Sequence, residues 1–141
     1  MVVCVAMFVI PHYGAVVNYP RIHSAELDQM SQWASASTPP DAVFHFPDAG
    51  RSLTPGIFRA ESTRAIYVDW KSGGQVNYMK SLGEEWWRRW QATLGAGYRP
   101  APMKSYAELG ADYVVLQAQN KIAGVQPVME NSGYVVYRTR P

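Results

Sequence analysis

Within thirteen positions the chain gathers Arg59, Arg64, Asp69, Trp70 and Lys71. Guanidinium forks and an ammonium suit phosphate, sulfate or carboxylate groups, and an indole offers a flat face to a sugar or a cation. Asp69 to Lys71 stand at the end of Ala65–Trp70, which reads as a strand, and ligands of parallel α/β sheets bind beyond the carboxyl ends of strands. These five residues are therefore the expected binding site for a glycan or an anionic ligand. The same residues also fit a structural ion pair between Asp69 and an arginine, with Trp70 in the core. A proton-transfer role for Asp69 with Glu84 or Glu85 depends on a separation that spacing alone does not fix.

A second cluster is Trp86, Trp87 and Trp90, interleaved with Arg88 and Arg89. Trp86 and Trp90 are four residues apart and share a helix face, whereas Trp87 begins another. Trp86, Trp87, Arg88 and Trp90 form the expected membrane-contact set, since tryptophan and arginine favour the lipid headgroup layer; the competing reading anchors Trp86 and Trp90 to a sheet. Base stacking is disfavoured: 13 Lys and Arg against 11 Asp and Glu leave a formal charge of only +2, so no nucleic-acid partner is expected. His12, His23 and His45 are scattered, and His45 inside an apolar strand reads as a core residue. The single cysteine, Cys4, excludes an intrachain disulfide and any multi-cysteine metal site. Ser52 and Ser72 lack a Gly-x-Ser-x-Gly setting, and Ser72-Gly73-Gly74 matches neither a P-loop nor Gly-x-Gly-x-x-Gly. No catalytic residue, metal or cofactor is assigned.

The elements that must carry these residues follow from pattern. Ser24 caps a helix in which Leu27, Met30, Trp33 and Ala34 recur at helical spacing, and Thr38-Pro39-Pro40 ends it. Ala42–Phe46 reads as a strand stopped by Pro47, followed by a loop holding Asp48, Gly50, Pro55 and Gly56. After strand Ala65–Trp70, Lys71–Gly74 is a flexible exit and Tyr78–Leu94 holds one broken or two short helices. Ser105–Leu109 is a short helix ended by Gly110, Tyr113–Leu116 a strand, and Pro127–Glu130 with Tyr134–Arg138 a hairpin around Asn131-Ser132-Gly133, residues that tolerate positive φ. Alternating strands and helices predict an α/β fold of three layers, with a mostly parallel sheet and a C-terminal antiparallel hairpin.

The chain's 141 residues, 48% hydrophobic and 17% charged, suffice for one domain with a real core. All formal charges lie from Arg21 onward. Met1–Ile10 is continuously apolar, too short for the roughly 20 residues of a spanning helix, and reads either as a buried strand or as the remnant of a transmembrane helix. The expected division is therefore 1–20, an apolar segment, and 21–141, a single α/β domain.

Thr38-Pro39-Pro40-Asp41-Ala42-Val43-Phe44, Phe58-Arg59 through Arg64 to Val68-Asp69-Trp70-Lys71, Trp87-x-x-Trp90 and the closing Leu109–Val115 and Glu130–Arg138 runs resemble the soluble C-terminal region of uncharacterised bacterial polytopic membrane proteins. Similar small α/β tails follow the membrane helices of integral-membrane glycosyltransferases of the lipid-linked-sugar type. The resemblance implies a bacterial membrane location with the soluble part extracytoplasmic, a remnant of a transmembrane helix at the beginning, and the membrane-embedded part of a longer protein as partner. A non-catalytic domain recognising an envelope glycan or anionic ligand is the expected function. The alternatives are an accessory domain of a membrane glycosyltransferase whose catalytic part lies elsewhere, and a small soluble α/β enzyme using Asp69.

Overall fold

The computed structural model describes residues 23–75 and 78–140. The apolar 1–20 segment, with Cys4 and His12 and both of its readings, lies outside the described residues. Helix α1, Ala25–Ser37, starts as expected: Ser24 Oγ accepts from Leu27 N–H at 3.2 Å, and Glu26 and Asp28 occupy the first turn. Leu27, Met30 and Ala34 are buried along one stripe. Strand β1 is Val43–His45.

The stretch expected to be a loop contains a helix, α2, Thr54–Ser62. Pro55 stands in its first turn, where the missing N–H has no intrahelical partner to lose, so the proline starts the helix instead of blocking it. Gly56 costs such a helix about 1 kcal/mol. Complete burial of Phe58 offsets that with about 2 kcal/mol. Thr63 ends α2 with a left-handed φ of 57°.

Strand β2 is only Ala65–Ile66. Tyr67 N–H still reaches Phe44 O at 2.8 Å, but Val68, Asp69 and Trp70 leave the ladder, so the expected strand to Trp70 is cut short. Lys71–Gln75 is a 3₁₀ turn instead of a loose exit. Helix α3 is a single element, Lys80–Thr93, and α4 is Met103–Glu108, with Gly110 at φ 90° turning the chain into β3, Tyr113–Gln117. A 3₁₀ turn at Ala118–Asn120 precedes β4, Met129–Glu130, and β5, Tyr134–Arg138. The β4–β5 turn needs no positive φ at Asn131, Ser132 or Gly133. Instead Asn131 Oδ1 accepts from the N–H groups of Gly133 and Tyr134, at 3.0 and 2.8 Å.

The fold is α/β with one five-stranded sheet, ordered β2-β1-β3-β5-β4. β1 pairs in parallel with β2 and with β3; β3 with β5 and β4 with β5 are antiparallel. The sheet is thus mixed, not mostly parallel. The reason is the C-terminal hairpin: β5 lies against β3 along all five of its residues, Tyr113 opposite Arg138 to Gln117 opposite Tyr134, and contributes as much pairing as the parallel half.

Alternation sends strand residues to two sides. Phe44, Tyr113, Val115 and Val136 join Leu27, Met30 and Ala34 of α1 and Phe58 of α2. Val114, Leu116, Val135 and Tyr137 join Tyr106 of α4. Tyr67 and Val68 meet Trp90 and Leu94 of α3, with Val43 packed against them. The helices α1 and α2 therefore share one apolar cluster, while α3 and α4 serve others.

Candidate functional site

Asp69 is the pivot of the expected site and is only 2% exposed. Its Oδ1 accepts from Ser72 N–H at 2.9 Å and its Oδ2 from Ser72 Oγ at 2.7 Å, which winds the chain into the 3₁₀ turn. Arg59, on α2, reaches across: its Nη1 donates to Ser72 Oγ at 3.1 Å and lies 3.5 Å from Asp69 Oδ2. The Arg59 side chain stays 47% exposed. It holds the buried carboxylate with one edge and leaves the rest of its fork for solvent or a ligand.

Three indoles close around this turn. Trp86 Nε1 donates to Asp69 O at 2.8 Å. Trp86 and Trp90 stack with centroids 5.7 Å apart and planes at 19°, and Trp70 tilts against both at 6.3 and 5.3 Å. A Cβ on Gly73 would fall 2.4 Å from the Trp86 ring, so only glycine admits the indole here. The Arg51 guanidinium stands 4.5 Å from the Trp70 ring centroid, a cation–π contact. Arg59, Trp70, Lys71, Ser72, Gly73 and Trp86 line a groove of about 540 Å³.

Four of the five expected residues, Arg59, Asp69, Trp70 and Lys71, are thus brought together, and Arg64 is not. Arg64, just past the end of α2, is 7% exposed. Its Nη2 donates to Ser35 O and Thr38 O at 2.6 and 2.9 Å, its Nε to Thr38 Oγ1 at 3.1 Å, and its Nη1 to Ser62 O and Thr63 Oγ1, both at 3.3 Å. The guanidinium caps the carboxyl ends of α1 and α2, satisfying carbonyls that helices leave unpaired. Arg51 and Gly73 were not singled out from sequence. Arg51 sits in a loop without periodicity, and Gly73 carried a signal only as half of a Gly-Gly pair.

Glu84 and Glu85, the expected proton-transfer partners of Asp69, each have cations of their own. Glu85 accepts from Arg88 at 2.8 and 2.7 Å and from Arg89 at 2.7 Å, and the hydrogen bonds from Arg88, then Arg89, hold its carboxyl down at about 2. Glu84 lies 3.8 Å from Lys80. Asp69 and Glu85 line a smaller crevice together with Arg59, Ser72 and Arg89.

The membrane-contact set divides as well. Trp90 is 7% exposed and Trp86 is half-buried, so both anchor α3. Trp87 is 54% exposed, and Arg88 is exposed but paired with Glu85. Tyr78, Met79 and Leu82, at the beginning of α3, are exposed and extend the apolar surface. Among the described residues no helix is long and apolar enough to cross a membrane, and no three metal-ligating side chains converge.

Residues 25–93 match a protein family described as a domain of unknown function (DUF6798). That span runs from α1 through α3 and contains every residue of the groove. Comparison with curated proteins and with solved structures gives no match.

Proposed function

We propose that the chain is a recognition domain whose Trp70 groove binds an anionic sugar, one carrying phosphate or carboxylate, and that it serves as the extracytoplasmic part of a bacterial membrane protein. The observation that carries this reading is the placement of an exposed indole, Trp70, beside a half-exposed Arg59 and an exposed Lys71 in one groove. The part of the indole that Arg51, Trp86 and Trp90 leave exposed packs against the sugar, and the cations pair with its anionic group. Among the described residues the groove lining holds Arg59 and Lys71 and no carboxylate, and Asp69 behind it is paired with Arg59, so the groove is cationic overall. Helices α1 and α2 on one side of the sheet and α3 and α4 on the other support a three-layer arrangement in which α2 and the turn after β2 form the groove walls. Asp69 acts as the turn's fastener, with both oxygens occupied, which weighs against its use as an acid or base.

Tryptophan fluorescence read during titration with glucose 1-phosphate and glucuronate tests the groove. A saturable change is expected for the wild-type chain. Arg59→Met should weaken binding about tenfold, as loss of a charge-assisted hydrogen bond implies. Trp70→Ala should weaken it similarly, and Trp87→Ala should not. Absence of saturation with both probes, or equal binding by Arg59→Met, would refute the reading.

A further inference from the structure

Strands β1, β2 and β3 are parallel and end on one edge of the sheet, and there the connections part. From β1 the chain passes to α2, which packs in the cluster of Met30 and Phe44. From β3 it passes through Ala118–Asn120 to Ile122 and Val125, which pack in the opposite cluster with Leu116 and Tyr137. Since β1 and β3 are hydrogen-bonded neighbours, their exits diverge to opposite faces and leave a crevice between them. Such a switch point is where open α/β sheets bind ligands. It lies between β1 and β3, not at the exit of edge strand β2 that leads to Trp70.

A cavity of about 270 Å³ occupies this crevice, close to the lower end of the range of about 300–1,000 Å³ for ligand pockets. Asp48, Ser52, Thr54, Gln117 and Tyr134 bring polar groups to its wall, and Phe46 lies beneath. Asp48 ties the two exits together: its Oδ2 accepts from Gln117 N–H and from Asn120 Nδ2, each at 2.8 Å. Its Oδ1 has no hydrogen-bond partner among the described residues. Ser52 Oγ and Thr54 Oγ1 are 2.8 Å apart, and the Tyr134 phenol, which burial raises above its ordinary value, adds a hydroxyl. No lysine or arginine lines the cavity among the described residues. An anion would meet Asp48 with no cation to offset it, whereas a ring of hydroxyls would find both acceptors and donors.

We propose that the crevice between β1 and β3 is a second binding site, for a neutral carbohydrate of about one pyranose ring, with Asp48 Oδ1 accepting from its hydroxyls and Ser52, Thr54, Gln117 and Tyr134 engaging the others. The site stands independently of the Trp70 groove. Its ligand differs in charge because the lining does: a carboxylate here, guanidinium and ammonium there.

The test is two-dimensional amide NMR of the full chain titrated with glucose, galactose and N-acetylglucosamine, with inorganic phosphate as the comparison. At least one sugar should shift the amides of Ala49, Gln117 and Tyr134 saturably, and phosphate should leave them unmoved. Ala49→Leu, which fills the cavity, and Ser52→Ala, at its wall, should each weaken binding about tenfold, the equivalent of roughly 1.4 kcal/mol. If Ala49→Leu loses its dispersed spectrum, Ser52→Ala decides alone. Trp70→Ala should keep the sugar response, so failure of the groove and failure of the crevice are separable. The proposal falls if no sugar saturates these amides, if phosphate moves them equally, or if the folded cavity variants bind as the wild type does.

Discussion

His45 is fully buried in β1, edge-on to Tyr67 at 5.4 Å and tilted to Tyr106 at 5.9 Å, and neither ring nitrogen has a hydrogen-bond partner among the described residues. Burial lowers its pKa from 6.5 to about 4. The sign of the consequence follows from which state takes up the proton. Between pH 6.5 and 4 the unfolded chain is protonated at this residue and the folded chain is not, so stability falls as pH falls, by about 3 kcal/mol across that window. Denaturant midpoints measured from pH 7 to 4 should therefore drop for the wild type. His45→Leu should show a flatter profile over the same range; an equal slope would place the acid sensitivity elsewhere. The core position of His45 was legible from the apolar residues around it. Its lack of any partner was not, because a partner comes from across the fold.

Arg64 belongs to the scale of elements. In sequence it neighbours Arg59 and the Asp69-Trp70-Lys71 run, and side-chain chemistry alone cannot separate the two arginines. The five-residue offset along and just past α2 separates them: Arg59 faces the turn after β2, while Arg64, beyond the left-handed Thr63, faces the end of α1. Arg64→Met would leave the terminal carbonyls of two helices without donors and should destabilise the fold by about 3 kcal/mol. Chemical denaturation reads that loss, and glucose 1-phosphate binding at the groove should be retained in the folded variant. Helix α2 also shows why the stretch around Pro55 reads as a loop from sequence. Proline and glycine mark turns by local propensity, yet proline is tolerated at a helix start and burial of Phe58 outweighs the glycine. α1 was legible to its cap because its signals, Ser24 and the Leu27, Met30, Ala34 stripe, are local.

At the scale of the molecule, Tyr78 and Met79 just before α3 and Leu82 and Trp87 on it are large apolar side chains left exposed. The proposed membrane contact rests on these residues once Trp86 and Trp90 are committed to packing. Sedimentation with vesicles of phosphatidylglycerol and phosphatidylethanolamine should carry the chain down, and Leu82→Ser with Trp87→Ser should reduce the bound fraction severalfold, since each removes apolar area that would enter the interface. Equal sedimentation of the double variant would exclude this surface from membrane contact.

Sequence by itself determined the α/β class, the start of α1, the burial stripe along it, the C-terminal hairpin and the gathering of Arg59, Asp69, Trp70 and Lys71, because each is written in residues close together in the chain. Tertiary structure decided which arginine belongs to the groove, which tryptophans are core, that the sheet is mixed, and that a crevice opens between β1 and β3. Those outcomes depend on strand order and on which face each connection takes. Two neighbours in the sheet, Phe44 and Tyr113, lie far apart in sequence, and no local periodicity encodes their pairing.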